Sequence, residues 1–117
     1  MKDFKKLIVW QKGLENFISI HLFARKLPAE ERYELASQLR RAAFSIPANI
    51  AEGRAKATNM HYKLFLENAL GSSYEVETAL IAIQELYKHF QNEIEVFNNK
   101  NVEVQKMLIS LINKLIQ

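Results

Sequence analysis

Cysteine is absent from the 117 residues, which excludes thiol nucleophiles, disulfide frameworks and cysteine-based zinc sites and fits a reducing compartment. Three glycines and two prolines leave little turn-forming material, so a few long helices are favoured over many short strands. There is no long apolar run. Leu7-Ile8-Val9-Trp10, behind a charged start, is too short for a signal peptide or a membrane span, and a cytoplasmic protein without a membrane partner is expected. A Gly-rich phosphate loop, an HExxH helix and a serine set in a nucleophile elbow are also missing. His21, His61 and His89 are scattered, and no pair of Glu-x-x-His motifs marks a di-metal bundle. Neither a catalytic site, nor a cofactor, nor a metal, nor a small-molecule substrate is expected.

What is present is hydrophobic periodicity. Hydrophobic residues make up 49% and charged residues 25%, the balance of an ordinary globular chain, and the length suits one domain spanning residues 1–117. Trp10, Leu14, Phe17, Ile18 and Leu22 predict a helix from about Ile8 to Lys26. Pro28 breaks it and suits the first turn of a second helix from about Glu30 to Arg54, with Gly53 as its C-terminal cap. Thr58 or Asn59 caps a third helix reaching about Phe90, whose inner stripe is Tyr62, Leu66, Ala69, Val76, Leu80, Ile83 and Tyr87. Ala69, Gly71, Ser72 and Ser73 form a small-residue patch inside it. A mid-helix glycine costs about 1 kcal/mol relative to alanine, so close approach of another backbone is expected there. Asn98-Asn99-Lys100-Asn101 reads as a turn, and Val102 to Ile116 as the last helix. The fold class is all-α, an antiparallel up-down-up-down four-helix bundle.

The second helix is the most informative segment, because it is apolar on more faces than one core buries. At about 100° per residue, Leu35, Leu39, Ala42, Ile46, Ile50 and Gly53 share one face, the bundle seam. Gln38, Arg41, Ser45, Asn49 and Glu52 gather into a neighbouring polar seam. The remaining face carries Arg40, Phe44, Pro47, Ala48, Ala51 and Ala55, whereas a monomeric surface helix normally fills such a face with Lys and Glu. An aromatic among small residues beside an arginine has the composition of a protein interface. Pro47 removes an amide donor and clashes with the Ala43 carbonyl, so a kink is expected. That kink either wraps the helix around its neighbours or shapes an interface or groove. Arg40, Phe44, Pro47, Ala48 and Ala51 are the candidate oligomer interface, and a heterologous contact of this kind closes a ring.

Charge is distributed unevenly. Residues 1–63 carry 12 Lys/Arg against 6 Asp/Glu, a balance of +6, while residues 64–117 carry 4 against 7, a balance of −3. The polarity either serves nucleic-acid contact or pairs a basic helix with an acidic one. Candidate phosphate-binding cations are Lys2, Lys5, Lys6 and Lys12 at the start and Arg54, Lys56 and Lys63 around the turn between helices two and three, near Phe4, Trp10 and Tyr62. Among carboxylates, Glu52 or Glu75 is expected to pair with Arg40 or Arg41 inside the assembly, and Glu75 and Glu77, two apart, face different directions.

Val9-Trp10-Gln11-Lys12, Ser37-Gln38-Leu39-Arg40-Arg41-Ala42-Ala43, Ser45-Ile46-Pro47-Ala48-Asn49-Ile50-Ala51-Glu52-Gly53, Phe65-Leu66, and Ala69-Leu70-Gly71-Ser72 with Glu75-Val76-Glu77-Thr78 together resemble one bacterial family. It is the four-helix-bundle family first met as open reading frames inside 23S ribosomal RNA intervening sequences. That family is similar in fold to the accessory variability protein of diversity-generating retroelements, whose relatives form ring-shaped homopentamers with a basic surface. The resemblance implies a homopentameric, non-enzymatic bundle that contacts RNA or DNA or a nucleic-acid-processing protein. Trp10, Gln38, Arg40, Arg41, Asn49, Glu52, Gly53, Gly71, Ser72, Glu75 and Thr78 carry the family pattern here. Gly13, where alanine is usual, Glu34, where glycine is common, and His61, where an acidic residue is frequent, depart from it. A protein-only scaffold without nucleic-acid affinity is the alternative.

Overall fold

The computed structural model describes residues 3–116, in four long helices with short 3-10 turns before the first, between the first and second, and between the third and fourth. These are α1 (Ile8–Ala24), α2 (Leu35–Arg54), α3 (Asn59–Leu86) and α4 (Gln91–Ile116), packed as a four-helix bundle measuring 44 × 21 × 20 Å. Lys2 lies outside the described residues. α1 packs on α2 and α4, and α3 on α2 and α4, so each helix buries two flanks rather than one.

The core is the set of apolar residues that the periodicity placed inward. Leu39 and Ile50 of α2, Leu66, Val76, Leu80 and Ile83 of α3, and Leu108 of α4 have no accessible surface, and Ile20 of α1 has almost none. At roughly 25 cal/mol per Å² of apolar area removed from water, these side chains supply much of the drive to fold. Phe23 stacks edge-on with Phe90 at 5.1 Å and also meets Phe97, locking the end of α1 against α4 and the segment before it.

Helix limits differ from the sequence reading in three places. Pro28 opens a 3-10 turn at Ala29–Glu31 rather than α2 itself, and Glu34, with φ −113° and ψ −105°, breaks the chain before Leu35. The segment Glu30-Glu31-Arg32-Tyr33-Glu34 offers no apolar stripe to bury, so nothing recruits it into the helix. The phenol of Tyr87 instead donates a 2.6 Å hydrogen bond to Oε2 of Glu31, tying this turn to the end of α3. α3 stops at Leu86, where Tyr87 leaves helical geometry. Asn98 to Asn101 is helix, not turn: the spacing of Ile94, Phe97, Val104 and Leu108 carries through it, and Asn101, fully buried, donates to the Ser73 carbonyl at 2.9 Å. A buried amide with a partner is tolerated where an unpaired one is costly.

The glycines and Pro47 also find different reasons. Gly53 lies within α2, and a Cβ there would stand 2.7 Å from Cβ of Phe65, so close approach of α3 explains it rather than a cap. Around Gly71 a Cβ would meet nothing within 4 Å, so no backbone of this chain approaches it. α2 continues unbroken through Pro47, which is buried beside Gly13 of α1. Thr58 caps α3 by accepting from the His61 amide at 3.2 Å.

Candidate functional site

α2 lies between α1 and α3, and this position accounts for part of its excess of apolar surface. Pro47 does not belong to an outer face, since α1 covers it. Arg40 turns toward α1, where Nη2 donates to the His21 carbonyl at 3.4 Å. Phe44 packs edge-on against Phe17 at 5.3 Å, yet 54% of it stays exposed. Ala48 and Ala51 are half-buried beside it. What remains uncovered by the chain is thus a small patch centred on Phe44.

The polar seam of α2 faces α3 across a groove. Ser45 and Ser72 share a hydrogen bond of 2.8 Å between their hydroxyls, and Asn49 Nδ2 donates to both the carbonyl and the hydroxyl of Ser45. Gln38, Arg41, Ala42, Ser45 and Glu75 line a recess of about 430 Å³. A second recess of about 320 Å³ shares Gln38 and Glu75 and extends over Gly71, Tyr74 and Thr78. Glu52 and Glu75 are exposed, and among the described residues neither pairs with Arg40 or Arg41 within the chain. Glu77 accepts from Gln105 Nε2 at 3.0 Å and so turns to α4, away from Glu75. Seven residues that carry the family pattern, Gln38, Arg41, Asn49, Gly71, Ser72, Glu75 and Thr78, therefore border or tie together one groove.

Sequence reasoning passed over the outer face of α3. Met60, Leu64, Gly71, Tyr74, Thr78 and Ile81 fall on a stripe stepping by fours and threes, the heptad spacing of a helix seam. Met60 is 78% exposed, and Leu64, Tyr74 and Ile81 are each about half-exposed. The signal was present as a second heptad register beside the inner one. It was hidden because Glu67 interrupts it and Gly71 adds no hydrophobicity.

Of the basic candidates, Lys5 and Lys6 are exposed in the opening 3-10 turn. The others already have neighbours. Lys12 pairs with Glu103 at 2.9 Å and Lys63 with Glu67 at 3.9 Å. Arg54 lies over the Tyr62 ring at 5.7 Å, and Lys56 over Phe65 at 4.9 Å. Burial pushes the Tyr62 phenol up in pKa, and the Arg54 guanidinium partly offsets this. Tyr87 is pushed up to about 12, chiefly by its hydrogen bond to the Glu31 carboxylate. No cluster of three or more metal-ligating side chains occurs among the described residues, and no helix among them is long and apolar enough to cross a membrane.

The chain is similar to a crystal structure of a protein with unknown function from the S23 ribosomal protein family of Bacteroides thetaiotaomicron VPI-5482, with a TM-score of 0.82 and 29% identity over 90% of this chain and 98% of that one. No curated protein matches it. Residues 5–110 match the family described as 23S rRNA-intervening sequence protein, a span that takes in all of α1, α2 and α3 and most of α4. The chain belongs to the 23S rRNA-intervening sequence protein family.

Proposed function

We propose that this chain acts by binding rather than by catalysing a reaction, as a ring-shaped homo-oligomer of antiparallel up-down-up-down bundles, a pentamer in keeping with its resemblance to the retroelement accessory protein. The observation that carries the reading is the exposed stripe of α3 with open Gly71 at its centre. A glycine inside a 28-residue helix costs about 1 kcal/mol, and nothing in its own chain accounts for it. A helix from a second copy laid along the stripe accounts for both the glycine and the uncovered side chains. A cyclic assembly needs two different patches per subunit, and the Phe44 patch with Ala48 and Ala51 supplies the second. The antiparallel arrangement is supported by the pairing of Lys12 with Glu103 and Lys26 with Glu93, which runs in opposite senses along α1 and α4. For α2 and α3, Gln38 shares a recess with Thr78 while Gly53 meets Phe65.

The ring is tested by light scattering of the purified chain at tens of micromolar, where a strictly monomeric species sinks it. Tyr74→Glu and Phe44→Asp each lower the assembled fraction while leaving helix content unchanged. If both variants remain fully assembled, the interface lies elsewhere.

In this arrangement Lys5, Lys6, Lys12, Arg54, Lys56 and Lys63 fall toward one end of the bundle, beside Trp10 and Tyr62, and the proposed ligand of that end is RNA or DNA. A protein-only scaffold is favoured by one observation, that four of the six cations are already engaged within the chain. Titration with a short RNA and a short DNA at two salt concentrations separates the two. Affinity that falls steeply with salt supports nucleic-acid binding, and no binding at low salt supports the scaffold.

A further inference from the structure

A third recess, apart from the groove and from both interface patches, lies where the end of α1, the connecting segment and the start of α2 meet. Its volume is about 330 Å³, and Arg25, Arg32 and Arg40, one from each of these three segments, line it. No acidic side chain is among its lining residues. Among the described residues, none of the three arginines lies within ion-pair distance of a carboxylate. Glu30, Glu31 and Glu34 flank Arg32 in sequence; Glu31 is engaged by the Tyr87 hydroxyl, and Glu30 and Glu34 neither line the recess nor form an ion pair among the described residues. Arg40 is drawn in further than the others: Nη2 reaches the His21 carbonyl, while Nε is buried without a partner. Three like charges around one concavity repel each other unless a counter-charge answers them.

Apolar walls strengthen the case. Ala24, Leu27 and Ala36 are buried around the recess, which lowers the local dielectric and strengthens any ion pair formed there. α2, 20 residues long, begins beside it at its N-cap residue Glu34, whose side chain makes no capping hydrogen bond, and no acidic residue stands in its first turn, so no side chain of the cap bonds its first amides.

We propose that this recess is a binding site for a phosphate monoester. Three planar forks exceed what one carboxylate uses, since a carboxylate offers two oxygens and a single charge. A phosphate monoester offers three acceptor oxygens and close to two charges near neutral pH, and arginine is the side chain suited to bidentate capture of it. At about 30 Å³ per water the recess holds roughly ten waters, room for the phosphoryl group and part of its ester. The site depends neither on the ring nor on the basic end of the bundle, because all its lining residues belong to one chain.

The test is calorimetric titration of the full chain, at constant ionic strength set with sodium chloride, using inorganic phosphate, AMP, adenosine and succinate. Saturable binding of phosphate and AMP, with none for adenosine or succinate, is expected. Arg25→Gln with Arg32→Gln, both at exposed positions and so harmless to folding, weakens AMP about tenfold or more with helix content unchanged. Arg40→Lys keeps the charge, loses the fork, and also weakens binding. A DNA strand bearing a 5′-phosphate, compared with its 5′-hydroxyl form, distinguishes the source: binding of the phosphorylated strand alone assigns the site to nucleic-acid ends, and binding of AMP but neither strand assigns it to small esters. Absence of saturation by phosphate and AMP below about 10 mM, succinate binding as tightly as AMP, or an unchanged affinity in the double variant overturns the proposal.

Discussion

The three glycines provide a test of the packing, because all three are helical with negative φ and an alanine at each gains helix propensity, yet each faces different surroundings. At Gly71 the added Cβ meets open space, so Gly71→Ala delivers the gain alone, about 1 kcal/mol. For a domain of this length that raises Tm by roughly 4 °C. At Gly13 the nearest atom is Cγ2 of Ile46 at 3.4 Å, an ordinary contact, and a gain of about 0.5–1 kcal/mol is expected. At Gly53 the Cβ falls 2.7 Å from Cβ of Phe65 and 3.3 Å from the Tyr62 carbonyl oxygen, atoms that cannot swing away. Overpacking of this kind costs about 1–3 kcal/mol, more than a position one residue from the helix end recovers, so Gly53→Ala lowers stability and Tm. The measurement is urea unfolding followed by circular dichroism at low micromolar concentration. A destabilised Gly71→Ala or a stabilised Gly53→Ala refutes the reasoning. Repeating the series at rising concentration adds a second reading, since a partner that binds only the folded chain contributes to its stability by mass action. If another copy covers Gly71, the advantage of Gly71→Ala shrinks as assembly sets in.

Two further predictions concern the monomer. Tyr87→Phe removes the tie between the α1–α2 turn and the end of α3, and loses one late-titrating phenol from an absorbance titration near pH 12. Because the folded state holds this proton to about pH 12 against an ordinary value near 10, its stabilisation is full below pH 10 and is lost as pH rises toward 12. Wild-type stability therefore falls more steeply over that window than the variant's, and parallel curves would contradict this. Leu80→Ala, at a position with no accessible surface, costs roughly 3–5 kcal/mol in urea unfolding, and a cost under about 1 kcal/mol would show that the α3 core is loosely packed.

Which residues face inward was determined by the sequence, since burial follows a period that local spacing displays. Leu39, Ile46, Ile50, Leu66, Val76, Leu80 and Ile83 are buried as their spacing required. The polar groove was half legible: Gln38, Arg41 and Asn49 were placed together on α2, but their meeting with Ser72 and Glu75 depends on how α2 lies on α3. Composition alone misled at Asn98–Asn101, where four residues typical of a turn sit in mid-helix because Asn101 finds a carbonyl on α3. Likewise Pro47 and Gly53 are local backbone signals by residue type, yet both answer to a neighbouring helix. Only the tertiary structure decided that α2 spends two flanks on α1 and α3, that the α3 stripe is left uncovered, and that Arg25, Arg32 and Arg40 share one recess. The physical reason is the same in each case. Periodicity records which side of a helix avoids water, whereas the partner on that side is fixed by contacts between residues far apart in the chain.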